Sequence, residues 1–356
     1  QLLFVLRNFF HSTSTTNNSN KMRLICGLAL LAAATTPAVA FTPASRVAAW
    51  GSSTVLQSTV EAVSGAEIKA KYDAALEKMK AKDASSAALS KEDLKIVYED
   101  EHIVVVDKPS GVLSVSGKDG SPSLAGAVFE AYGCEGGSAD KMVVHRLGMD
   151  TSGLIVFART MAALRGMNSA FRTRKVTRTY EALVCGHVEQ DSGVIDMPLM
   201  RDYEFPPFMR VSSDEHQRAL IGLDADEVGK KLLESPKESL TKYEVVAREE
   251  LGGHPVSRVA LTSISGRTHQ LNVHCAAFGH PIVADSVYGV NGDAAPNGGV
   301  DEATIQESNP SRASGELQQQ IADAASDKSM CVHAKSISFE HPVTGEKLSF
   351  ESGASF

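Results

Sequence analysis

The chain has 356 residues, 43% of them hydrophobic and 22% charged, with a formal charge of −8. That length and apolar content supply one sizeable core or two modest ones, which excludes a chain disordered throughout and a mini-protein stapled by disulfides. The acidic balance excludes nucleic-acid binding by a uniformly basic surface, although the charge is unevenly spread.

Residues 1–60 carry Arg7, Lys21, Arg23 and Arg46 and no acidic residue, so all 43 acidic side chains follow Val60. From Met22 a basic start leads into an apolar run (Leu24, Ile25, Leu28, Leu30, Leu31) that ends at Ala38-Val39-Ala40. This is the pattern of a cleavable signal peptide, too short and too rich in alanine for a membrane span. Phe41 and an acid-free stretch follow, an arrangement that resembles the bipartite plastid-targeting leaders of algae with secondary plastids. Residues 1–60 are therefore expected to be a leader with its true start at Met22. Plastid import is the favoured reading, with secretion or mitochondrial import as alternatives. Cys26, Cys134, Cys185, Cys275 and Cys331 are odd in number and form no CxxC pair, which suits a reducing compartment.

Residues 61–93 read as a helical spacer, since 65–83 consists of strong helix formers with Ile68, Tyr72, Ala75 and Met79 near helical spacing. From Leu94 short apolar strands take over: Ile96–Tyr98, Ile103–Val106 and Leu154–Ala158, bounded by Gly, Pro and Asp. A helix over 161–173 precedes further strands at 180–184, 243–246 and 259–261. Strands and isolated helices alternate without a regular βαβ repeat, so the class is α+β, with one domain over 94–352. Two stretches look inserted: 212–238, charged and helix-prone, and 290–328, which reads as a mobile loop.

Several motifs fail on their spacing. Gly111 to Lys118 has five residues between its glycines, and Asp119 stands where a phosphate loop needs Ser or Thr. His269, His274, Cys275 and His280 match no metal-ligand pattern and read as structural residues. No G-x-S-x-G elbow occurs.

The remaining segments fall in a fixed order. They are Ile96 to Val115 with Asp107-Lys108-Pro109-Ser110-Gly111, Val144-His145-Arg146-Leu147-Gly148-Met149-Asp150-Thr151-Ser152-Gly153-Leu154, and Thr179-Tyr180-Glu181-Ala182-Leu183-Val184-Cys185-Gly186. Gly266-Arg267-Thr268-His269-Gln270-Leu271-Asn272-Val273-His274 follows, then Gly279-His280-Pro281-Ile282-Val283-Ala284-Asp285 and the closing Val332-His333-Ala334-Lys335 and His341-Pro342. In order and spacing, residues 94–352 resemble the RluA-type pseudouridine synthases. The resemblance implies a mixed central sheet beside an RNA-binding cleft, and isomerisation of uridine in rRNA or tRNA by a monomer with no cofactor and no metal. It places Tyr180 against the flipped uracil and pairs Arg267 with a catalytic carboxylate. Contacts to RNA fall to His145, Arg146, Arg172, Arg174, Lys175, His269 and Gln270.

In the family that carboxylate directly follows His-Arg-Leu, where this chain has Gly148. Three readings stand side by side. Asp150, two residues on, brings a carboxylate into the same cleft; or the chain keeps the RNA cleft without turnover; or a single base change has turned an Asp codon into a Gly codon. A second departure is Asn272, where the family carries arginine. The acid-free run 151–180, with Arg159, Arg165, Arg172, Arg174, Lys175 and Arg178, is the expected RNA-facing stripe on an acidic body.

Overall fold

The computed structural model describes residues 40–41, 63–117 and 120–356. Ala40–Phe41 form a two-residue strand, β1, and Gly65–Ala84 the helix α1. The hairpin of β2 (Ile96–Glu99) and β3 (Ile103–Lys108) is followed by α2 (Leu124–Tyr132), β4 (Ser152–Ala158), α3 (Met161–Arg172) and β5 (Thr177–Cys185). Next come β6 (Ser192–Asp196), the hairpin β7 (Leu199–Arg201) and β8 (Met209–Val211), and the short helices α4 (Asp214–Ala219) and α5 (Ala225–Val228). β9 (Leu240–Leu251), β10 (His254–Ser263), α6 (Gln270–Ala277), α7 (Glu302–Ser308), α8 (Gly315–Ala324), β11 (Val332–Glu340) and β12 (Lys347–Glu351) complete the chain.

Ten strands form one mixed sheet in the order β1-β6-β9-β10-β5-β11-β4-β3-β2, with β12 also paired to β11. This is the α+β architecture expected from the irregular alternation of strands and helices. The strand β3 is buried at all six positions because both faces of the sheet are covered. Val104 and Val106 pack into the core that holds α2 and α6, while Ile103 and Val105 meet Ala163 and Met167 of α3 on the other face. Beneath β5 and β10, Leu183, Cys185 and Val256 form a third cluster with Ile321 of α8.

Two backbone sites require glycine. Gly252 (φ 59°) and Gly253 (φ 82°) make the two-residue turn between β9 and β10, where both central residues must be left-handed. At Gly153 (φ 107°) the Ala334 backbone lies 2.5 Å from where a Cβ would stand, so β4 and β11 meet only because no side chain intervenes.

The segment 290–328 departs from its expected form. Instead of a mobile loop it carries α7 and α8, with Ile305, Ala313, Ile321 and Ala325 each at most 2% exposed. Each helix is short and buries few apolar side chains, so periodicity is faint; Asp301 and Ser314 cap their N-termini. The expected leader lies outside the described residues except for Ala40–Phe41, which pair in parallel with Val194 and Ile195.

Candidate active site

One row of paired residues crosses the sheet at Lys108, Gly153, Ala334, Tyr180, Leu261 and Tyr243. The loop 144–152 feeds into this row at Gly153. Two strand spacings separate Gly153 from Tyr180, about 10 Å. Tyr180 is 7% exposed, its ring is packed in the main core, and its hydroxyl bonds to no described residue.

The loop is clamped along its length. Ser114 Oγ accepts the Leu147 N–H at 3.0 Å and donates to the Leu147 carbonyl at 2.8 Å. The Met149 carbonyl accepts from Gly111 N at 3.0 Å and from Lys108 Nζ at 2.9 Å, and Ser110 Oγ donates to the Asp150 carbonyl at 2.7 Å. At the exit, Ser152 Oγ pairs with His333 Nδ1 at 2.9 Å. Lys108 is fully buried, and its ammonium also reaches the carbonyls of Pro109 (2.9 Å) and Val112 (2.7 Å). Burial pushes its pKa down to about 7, against the opposing charge of Asp150.

The Asp150 carboxylate meets Lys82 of α1, with Nζ 2.5 Å from Oδ2; the same nitrogen is 3.1 Å from Ser286 Oγ. Arg267 is oriented differently from what the resemblance implied. Its Nε donates to the Glu238 carbonyl at 3.2 Å, and it forms no ion pair among the described residues. The structure therefore does not pair Arg267 with Asp150. At Gly148 the backbone is not left-handed, and an added Cβ would meet only Thr151 Oγ1, at 3.3 Å.

Gln270, expected at the RNA, is instead an internal peg. It is 3% exposed, and its Oε1 accepts from Arg267 N (3.0 Å) and Ser265 Oγ (3.0 Å). Its Nε2 donates to the Leu240 carbonyl (2.9 Å) and Thr241 Oγ1 (3.0 Å), so every bonding position of the amide is used. His145 likewise turns inward: Nε2 accepts the Val156 N–H at 2.9 Å, which places the proton on Nδ1. Burial first, and then the charge of Arg178, lowers its pKa to about 3, so it offers no positive charge to a phosphate.

His269 remains at the surface of the cleft, with Nδ1 3.0 Å from Tyr288 Oη. Its pKa is lowered by partial burial, with Asp285 opposing and Arg201, Arg146 and Lys82 adding to the shift. Arg172, at the end of α3, and Arg174 and Lys175, on the turn before β5, are exposed, and none makes an ion pair among the described residues. Arg178, behind them, lies over the Phe171 ring and beside Gly266, linking the stripe to the Arg267 loop. Asn272, at the family's arginine position, bonds Asp285 Oδ2 at 2.7 Å.

The expected structural histidines have partners. His274 meets Thr241 Oγ1 (2.9 Å) and the Met197 carbonyl (3.0 Å), and His280 the Cys185 carbonyl (2.8 Å). Among the described residues, no three or more His, Cys, Asp or Glu converge as metal ligands. Residues given no role in the sequence reading are Lys82, Lys108 and Ser114. A lysine ending a strand that begins with four apolar residues, just before proline, is the one signal that marked Lys108. Lys82 had none.

A family profile described as RNA pseudouridylate synthase matches residues 102–277. The chain is 36% identical over 266 residues to a dual-specificity RNA pseudouridine synthase RluA of Pasteurella multocida, covering 74% of this chain and 94% of that one. It is 32% identical over 265 residues to the protein of the same name from Escherichia coli, with the same coverage. Among solved structures, human RNA pseudouridylate synthase domain containing 1 superposes with a TM-score of 0.51 at 25% identity, covering 76% of this chain and 87% of that one.

Proposed function

The chain belongs to the RNA pseudouridylate synthase family, and on that premise we propose that it isomerises uridine to pseudouridine in structured RNA with Asp150 as the reacting carboxylate. The reaction breaks the N1–C1′ bond, turns the uracil and joins C5 to the same C1′; the proton on C5 is then lost and N1 gains one. The carboxylate serves as nucleophile at C1′ or as base at C2′. Tyr180 receives the flipped base, and Arg267 favours the negative charge that develops near it.

The observation that carries this reading is the clamped loop. It holds Asp150 three residues from the row that contains Tyr180, with Lys82 paired to its carboxylate. Arg172, Arg174 and Lys175 supply phosphate contacts on the approach. We further infer a plastid site of action, with rRNA or tRNA as substrate and a monomer as the working form, from the acid-free leader and the basic stripe. Tritium release from 5-tritiated uridine in plastid rRNA or tRNA tests the activity. Release with multiple turnovers is expected, and none above background would leave an RNA-binding protein without turnover.

A further inference from the structure

We propose that Lys82, on α1, is a positioning residue for the reaction: it holds the Asp150 carboxylate in place within the cleft. The inference rests on the reading that Asp150 reacts, and it concerns a helix that lies N-terminal to the segment matched by the family profile, which begins at residue 102.

Asp150 needs a fixed partner, because a reacting carboxylate that wanders by about an ångström loses its line to the target atom. Among the described residues neither Lys108 nor Arg267 forms an ion pair with Asp150. The three N–H groups of Lys108 face the carbonyls of Pro109, Val112 and Met149, and Arg267 Nε is bonded to the Glu238 carbonyl. Lys82 alone forms an ion pair with Asp150 among the described residues, at 2.5 Å.

The lysine is itself fixed. Ser286 Oγ gives its ammonium a second acceptor at 3.1 Å, and the residue sits in the last turn of α1, where the helix dipole favours a cation. The helix has little apolar burial of its own, with only Gly65 and Ile68 buried. Polar contacts seat its C-terminal half on the loops around the cleft. Lys78 pairs with Asp293 at 3.1 Å, and just beyond the helix Ser86 Oγ donates to the Pro122 carbonyl at 2.8 Å and accepts from Leu113 N at 3.0 Å. Ser286, Asp293 and the carboxylate of Asp150 are thereby tied to the C-terminal half of α1, and Leu113 and Pro122 to the residue just beyond it. A flexible chain at this position would leave the Asp150 side chain free to change rotamer.

The test uses the full chain, with tritium release measured for Lys82→Met, Lys82→Arg, Asp150→Asn and the double variant Asp150→Asn/Lys82→Met. Lys82→Met is expected to lower kcat about a hundredfold, the loss that follows displacement of a reacting group by about an ångström, while KM for RNA changes less than about threefold. Lys82→Arg should recover most of kcat. The double variant should be no slower than Asp150→Asn alone, since the lysine acts through that carboxylate. Wild-type kcat in Lys82→Met, or a raised KM with kcat intact, would overturn the positioning role while Asp150 stood. Undiminished release by Asp150→Asn would instead overturn the reading of Asp150 and this proposal together.

Discussion

Replacing Gln270 by methionine separates an internal peg from an RNA contact. The side chain keeps its length and apolar volume but loses four hydrogen bonds of 2.9–3.0 Å in a site 3% exposed. The partners do not all suffer equally. The Leu240 carbonyl still accepts from Ile264 N, and Thr241 Oγ1 still bonds His274. The Arg267 N–H and the Ser265 hydroxyl lose their acceptor, although Ser265 Oγ still accepts from Leu240 N. With about 1–3 kcal/mol for each of the two buried donors left unsatisfied, the loss should be about 2–6 kcal/mol. At about 1.3 °C per kcal/mol for a chain of this size, the melting temperature should fall by about 3–8 °C. Urea unfolding and a thermal scan report the stability, and filter binding reports RNA affinity. Tritium release should drop as well, because the loop that presents Arg267 loses its anchor. Unchanged stability with affinity alone reduced would show that Gln270 faces RNA, and the argument from its bonding would be wrong.

Replacing Arg172, Arg174 and Lys175 together by alanine should weaken RNA binding and reduce the slope of log affinity against log salt by about 2–3; an unchanged slope would make these residues a merely solvated face. Gly148→Asp should fold like the wild type, since its Cβ meets only Thr151 Oγ1, and should raise tritium release about a hundredfold by returning a carboxylate to the family's position. Slower release would contradict the view of Asp150 as a displaced substitute. Acid should unfold the protein early: His274 and His280, buried and with pKa values lowered to about 4, remain neutral in the folded state while the unfolded chain takes up protons below about 6.5. Stability is thus intact above pH 6.5 and lost as pH falls towards 4, by about 3 kcal/mol per histidine, which urea midpoints at pH 7.5, 6.0 and 5.0 would reveal. A flat profile across that window would refute it.

The strands read at 96–98, 103–106 and 154–158 were legible because short apolar runs bounded by turn residues leave few alternatives. The same local pattern could not separate two kinds of motif residue. Gln270 and His145 belong to short, chemically suggestive segments, and a string of letters shows neither that an amide has all its bonds filled nor that an imidazole accepts a strand N–H. Helices α7 and α8 escaped notice because each buries few apolar groups, too few for a period to emerge. Lys82 illustrates the larger gap. It is one of many charges on a helix that reads as a solvated spacer, and only the packing of that helix brings it to Asp150, 68 residues away in the chain. The departure at Gly148 was visible at once, whereas the single neighbour of its Cβ, Thr151 Oγ1, and the lack of an ion pair between Arg267 and Asp150 required coordinates.

The central claim is that Asp150 is the carboxylate that reacts, and Asp150→Asn tests it most directly. Its amide has nearly the same shape, so the Ser110 and Lys108 contacts to the loop backbone should survive and RNA affinity should change little. The account predicts that tritium release from 5-tritiated uridine falls to background while RNA binding persists. Release at the wild-type rate from the same variant would contradict it.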